Sequence, residues 1–209
     1  MSNVREIIEN QVLAGNPAEF AIGYASIGDE RCTEISMWAE GTNLLGFTRE
    51  GCHYTTRWCY LEDLVAWLNS FALNMKDDPF PIAVEGEYAA EKDANARALA
   101  PELDDDSSDE ELDAFDAYFD RFEDWSWNHT WVSERGGAIL SNMYFEYKDG
   151  MVELSWNNSN EHDGVSFDCK FGGTRVDAET FKAVVFEFVD AYEKHWGIKA
   201  DDESTWVRR

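Results

Sequence analysis

The side chains that could do chemistry in this chain fall into small groups, and each stops short of a working pattern. Glu161-His162-Asp163 places an acid, a base and a carboxylate in one run. Consecutive residues on a polar loop point different ways and rarely converge on one substrate, and no nucleophile accompanies them. Cys52-His53 with Cys59 is the nearest approach to a zinc set. It lacks a Cys-x-x-Cys pair, and strand alternation sends Cys52 and His53 to opposite faces. Asp104, Asp106 and Ser108 fall at alternating positions of a calcium loop, but Asp109 stands at the turn glycine and Phe115 at the closing glutamate. Gly136-Gly137 and Gly172-Gly173 lack the surroundings of a phosphate-cradling loop, and there is neither a nucleophile elbow nor a His-Glu-x-x-His helix. The sequence therefore predicts no cofactor, no metal and no catalytic residue: a non-enzyme. His129 sits among Trp125, Trp127 and Trp131. That cluster fits either a recognition surface, since tryptophan anchors interfaces, or a buried aromatic corner.

Charge says more than any motif. Asp and Glu number 43 against 17 Lys and Arg, a formal net charge of −26, so a pair of carboxylates marks no site by itself. Such a chain repels nucleic acid and anionic membrane, and neither is expected as a partner; a basic protein is. Residues 87–124 alone hold 15 acidic against 3 basic side chains, so the charge is clustered. Met1 to Val12 carries Glu6 and Glu9 with no apolar run, which predicts no secretory signal, and no stretch has the roughly 18 apolar residues of a membrane span. A cytoplasmic location follows, with Cys32, Cys52, Cys59 and Cys169 as thiols. The bland reading of the acid, a solubilising surface, stays open beside the sharper one, a complement to a cationic cleft.

The elements that must position these residues read as α+β. The aromatic content of 14% excludes a disordered chain and supplies a core. Ser2 to Val12 predicts a short helix with Val4, Ile7, Ile8 and Val12 on one face. Strands are predicted at Phe20–Tyr24, Ile35–Trp38, Leu44–Thr48 and Tyr54–Tyr60, with a turn at Glu50-Gly51. Leu61, Leu64, Val65, Leu68, Phe71 and Ala72 form a helical stripe, stopped by Asp78-Pro79-Phe80-Pro81. Ala89–Leu99 predicts a second helix, and Ser108 with Glu111 has capping-box spacing for a third. Its narrow seam is Leu112, Phe115, Phe119 and Phe122, with acids around it. Met143–Tyr147 and Val152–Trp156 flank a hairpin turn at Asp149-Gly150, Val165–Phe171 alternates strictly, and Asp177 caps a last helix that Gly197 stops, with Trp206 beyond it able to dock.

Two stretches share an order of parts. Glu34-Ile35-Ser36-Met37-Trp38 and Glu153-Leu154-Ser155-Trp156 each precede strands and then a helix. The predicted organisation is a sheet-plus-helix unit at 1–86, an acidic helical connector at 87–124 and a second unit at 125–209, or one continuous antiparallel sheet with helices on one face.

The run Asn128 to Trp156 carries a His and Trp, a Gly-Gly step, an Asn before an aromatic strand, a tight Asp-Gly turn and a Glu-x-Ser-Trp ending. With Asp-Pro-Phe-Pro at 78–81, it resembles a group of uncharacterised bacterial proteins that look like members of toxin–immunity or phage-conflict neighbourhoods. Ser141 stands where that group is expected to have proline. The resemblance implies an immunity or antitoxin type of protein and no catalytic residue.

The favoured function is an acidic inhibitor that neutralises a basic partner, such as a toxin or nuclease, by occupying its cationic cleft. The partner-binding residues would be Asp104, Asp105, Asp106, Asp109, Glu110, Glu111, Asp113, Asp116 and Asp120, with Trp125 and Trp127 as anchors. Three other readings are a DNA mimic, an enzyme with an unfamiliar carboxylate cleft, and an acidic assembly subunit; the oligomeric state is left open.

Overall fold

Two hairpins set the architecture. Asp149 and Gly150 take φ of 50° and 79°, the left-handed pair that a two-residue turn between twisted strands requires. Their arms, β9 (Met143–Lys148) and β10 (Met151–Asn157), pair antiparallel with Phe145 opposite Leu154. A strand before them, β8 (Thr130–Trp131), and one after, β12 (Phe171–Asp177), complete a sheet in the order β12-β10-β9-β8. A long helix, α4 (Ala178–Trp196), follows at once, the Asp177 carboxylate accepting the Thr180 N–H at 3.0 Å. The structure is a computed structural model that describes residues 11–26, 32–59, 61–100, 103, 107–131, 141–159 and 164–196.

The N-terminal half repeats that plan. Strands β2 (Phe20–Ser26) and β3 (Cys32–Ala39) pair with Ile22 opposite Met37 and Tyr24 opposite Ile35. β1 (Gln11–Asn16) extends the sheet beside β2, while β4 (Thr42–Asn43) and β7 (Arg57–Cys59) both pair with β3. Helix α1 (Leu61–Leu73) follows β7 as α4 follows β12. Even one polar pair recurs: Arg57 lies opposite Glu34, and Arg175 opposite Glu153.

Each half also makes an excursion, between β3 and β7 in the first and between β10 and β12 in the second. In the first, β5 (Gly46–Arg49) and β6 (Cys52–Thr55) form a hairpin whose turn residues Glu50 and Gly51 take φ of 52° and 77°. In the second, β11 (Val165–Phe167) pairs with β5, placing Phe167 opposite Phe47. The excursions thus meet in a small third sheet, β11-β5-β6.

The helices reach across. Phe181 and Phe188 of α4 pack on Phe20 and Tyr24 of β2, with ring centroids 5.2 and 5.9 Å apart. Trp67 and Phe71 of α1 pack on Phe145 of β9 at 5.1 and 5.9 Å. One hydrophobic core therefore draws on both halves. On the other face of β10, helix α2 (Ala89–Ala98) is held by its first amides: Ala89 N–H donates to Glu153 at 2.7 Å and Ala90 N–H to Ser155 Oγ at 3.1 Å. Tyr88 lies flat on Gly173, where any Cβ would come within 2.5 Å of the ring. Helix α3 (Asp109–His129) then leads back into β8. The class is α+β. Among the described residues no helix is long and apolar enough to cross a membrane.

The structure departs from the sequence reading in particular places. Gln11 and Val12 belong to a strand rather than a helix, and residues 2–10 lie outside the described residues, as do Gly197 and Trp206. The stretch 165–171 is not one strand: it breaks after Phe167, and Phe171 opens β12 in another sheet. Thr56 likewise divides 54–60, its N–H donating to Leu45 and its carbonyl accepting from Ile35, which hands the chain from one sheet to another. Position 124 falls inside α3.

Candidate partner-binding surface

The acidic helix begins where its cap dictates. Ser108 Oγ accepts the Glu111 N–H while the Glu111 carboxylate accepts the Ser108 N–H at 2.8 Å, a complete capping box. The Ser108 N–H, contributing most, and the Ser108 hydroxyl, which donates to the same carboxylate at 2.9 Å, hold the Glu111 carboxyl below its ordinary range. Asp109, Glu110 and Glu111 also lie at the positive end of the helix dipole, where anions are favoured. Beyond the cap, Asp113, Asp116, Asp120, Glu123 and Asp124 are exposed, as are the three first-turn acids. None of the eight has a Lys, Arg or His within ion-pair distance among the described residues. Arg121, the one cation on this stretch, turns its Nε to the Ala117 carbonyl. Asp104, Asp105 and Asp106 lie outside the described residues, as does Glu161-His162-Asp163.

The seam of α3 is buried in stages. Phe122 is buried under the Arg97 guanidinium, 4.6 Å from its ring centre, and against Phe80. Phe119 and Phe115 are half-buried, and Leu112 is 42% exposed. Tyr118 ties the middle of the helix to α2 through the Ala96 carbonyl at 2.7 Å. The first turns thus present an incompletely covered apolar strip flanked by acids.

The two tryptophans proposed as anchors part company. Trp125 is buried, stacks on His129 at 4.5 Å and gives its indole N–H to the Asp78 carbonyl at 3.1 Å. Trp127 is 54% exposed. It stands at the rim of a cleft of about 390 Å³ between the last turns of α1 and α3, walled by the stacked Trp67–Phe71 pair and floored by Asp78 and His129. His129 is fixed by the Phe145 carbonyl at Nδ1 (2.7 Å), with Asp78 Oδ2 3.3 Å from Nε2. The sequence flagged His129 through its tryptophan neighbours; Asp78, 51 residues earlier, gave no such signal.

A second cleft, about 320 Å³, bears on the enzyme reading. Glu146 and Glu153 lie opposite each other on β9 and β10, both buried, and burial pushes the Glu153 carboxyl above its ordinary range. Their neighbours are structural, however. Glu153 holds the α2 amide and pairs with Arg175 at 3.5 Å, and Glu146 pairs with Lys92 of α2 at 3.4 Å. This network docks a helix on a sheet. Elsewhere an exposed His53–Asp168 pair, 2.6 Å apart, joins β6 to the end of β11, and Cys52 is a separate exposed thiol. Among the described residues no group of three or more metal-ligating side chains gathers.

No family model matches the chain, and neither does any curated protein. Among solved structures it is similar to CdiI from Burkholderia dolosa AUO158, with a TM-score of 0.44 and 14% identity over 86% of this chain and 99% of that one. A likeness of that degree carries no functional argument, which must come from the surface itself.

Proposed function

We propose that this chain is a protein-binding inhibitor of the immunity or antitoxin type, which neutralises a basic partner, a nuclease, by laying the acidic face of α3 into its cationic cleft. The observation that carries this is the eight exposed carboxylates of residues 109–124, unmatched by cations among the described residues. Carboxylates left unpaired on a surface repel each other, and that repulsion is relieved by a basic partner. The half-covered strip of Leu112, Phe115 and Phe119 adds apolar area that such a partner can desolvate. The resemblance of residues 128–156 to proteins of toxin–immunity neighbourhoods points the same way, and no catalytic role is proposed for any residue.

The test is capture from the native host at low salt, elution by a salt gradient, and inhibition of the purified captured protein. The expected partner is basic, is released as salt rises, and loses activity when bound. Reversing Asp113, Asp116, Asp120 and Glu123 to lysine should weaken it by about two orders of magnitude, mainly by slowing association. Unchanged affinity and unchanged salt dependence in that variant would refute the α3 surface.

A further inference from the structure

Helix α2 covers only the later part of the α3 seam. It runs back along α3: Ala89 and Ala90 gather with Trp125, the Arg97 guanidinium lies 4.6 Å from the Phe122 ring centre, and the Ala96 carbonyl accepts the Tyr118 hydroxyl. It then ends at Ala98. Phe122, beneath it, is buried. The seam residues beyond its end are not: Phe119 and Phe115 are half-buried with ring centres 4.5 Å apart, and Leu112 is 42% exposed. Leu99, which closes α2, is 68% exposed. A helix–helix contact thus stops partway along a seam that continues.

Two rows run along the open part. Leu112, Phe115 and Phe119 repeat at three- and four-residue steps. Asp109, Asp113, Asp116 and Asp120 do the same beside them, since each residue turns the helix by about 100°. Neighbours within a row are then about 4.5 to 6 Å apart along the axis. A second helix carries rows with the same alternation and seats its ridges between them. An extended strand shows one face every ~6.8 Å and falls out of step within a few residues. Arg97 of α2 shows what such a helix brings, a guanidinium over a seam ring that also pairs with a carboxylate, Asp93, at 2.9 Å. A second copy of this chain is a poor occupant, because a net charge of −26 would set acid row against acid row.

We propose that the open part of the seam receives a basic amphipathic helix of the protein partner in line with α2, its large apolar residues on Leu112, Phe115 and Phe119 and its arginines or lysines against the aspartate row. This rests on the basic-partner reading above and adds the form of the element that meets α3: a helix in the wall of the partner's cleft. Two things select it, the continuity of the seam with the α2 contact and the unmatched charge beside it.

The whole chain is titrated with an acetylated peptide of about 14 residues, leucine at alternating three- and four-residue steps and arginine and alanine elsewhere, which is mostly unfolded when free because isolated helices of that length are marginal. Binding should saturate near about 10 μM, add helical circular dichroism, and shift the amides of residues 110–119 while leaving those of β9 and β10 unmoved. A peptide of the same composition with its leucines spread around the helix should bind about tenfold more weakly and stay unfolded. Leu112→Gln and Phe115→Gln keep the charge and a good helix former, and each should weaken the first peptide about tenfold and the second not at all. Reversing Asp113, Asp116 and Asp120 to lysine should weaken both peptides. Equal binding of the two peptides, or indifference to the glutamine variants, would overturn the docked helix while leaving the charged α3 surface standing; indifference to the reversal as well would remove both. A dimer of the free chain that Leu112→Gln dissociates would also overturn it, by giving the strip to a second copy.

Discussion

Trp125 and Trp127 are two residues apart and face opposite sides of one helix, because each residue turns an α-helix by about 100°. Their clustering was legible in the sequence; which of them meets solvent was not, since that depends on where Phe80 and Asp78 return from another segment. The same limit hid Glu153. In the alternating strand Val152–Trp156 it occupies an outward position, and outward suggests wet, but α2 covers that face. Burial is what raises its carboxyl, opposed by the Ala89 N–H and by Lys92 and Arg175. A group whose folded pKa exceeds its unfolded value binds more protons in the folded state. Its contribution to stability is fully present below the unfolded carboxyl pKa of about 4.3 and is lost as pH rises through the raised folded one. Glu153→Gln keeps an acceptor for Ala89 and removes the titration. The fall in melting temperature across that window should therefore be shallower in the variant than in the parent, and an identical pH profile would show that Glu153 ionises as freely folded as unfolded.

At the scale of elements, local signals read well where the chain itself supplies the answer. The stripe from Leu61, the Ser108–Glu111 box and the Asp149-Gly150 turn are all complete within a few residues, and all three form as expected. Pairings that depend on distant strands were illegible. Val165 to Phe171 alternates as one strand should, yet its first part finds β5 and its last part finds β10, and nothing local marks the break. Gly172 and Gly173 give β12 no strand signal of its own, although Gly173 is there so that Tyr88 can lie on the sheet. For α3 the local cap matters unusually, because its first turns have few tertiary contacts to hold them. Ser108→Ala should cost about 1 kcal/mol of helix stability. That loss should appear as faster amide exchange in residues 111–116, with the melting temperature of the core little changed. Unaltered exchange there would mean that the apolar strip, rather than the cap, holds the helix start.

At the scale of the whole molecule, the two similar halves invite separation, and the packing forbids it. α4 leaves the C-terminal sheet to cover Phe20 and Tyr24, while α1 leaves the N-terminal sheet to cover Phe145. β11 crosses to pair with β5, and α2 belongs by sequence to one side and by contact to the other. Cutting the chain between 100 and 101 would thus strip each fragment of the helix that buries its sheet. Exposed sheet faces of Phe, Ile and Tyr cannot offset the entropy of ordering the strands around them. Neither fragment 1–100 nor fragment 101–209 should fold alone: each should lack near-UV circular dichroism and a cooperative thermal transition. Mixed in equal amounts they should recover both, with a midpoint that rises with concentration because association now carries the core. A sharp transition in either isolated fragment would show instead that its sheet and helix are self-sufficient, and would make the two halves true domains joined by the acidic helix.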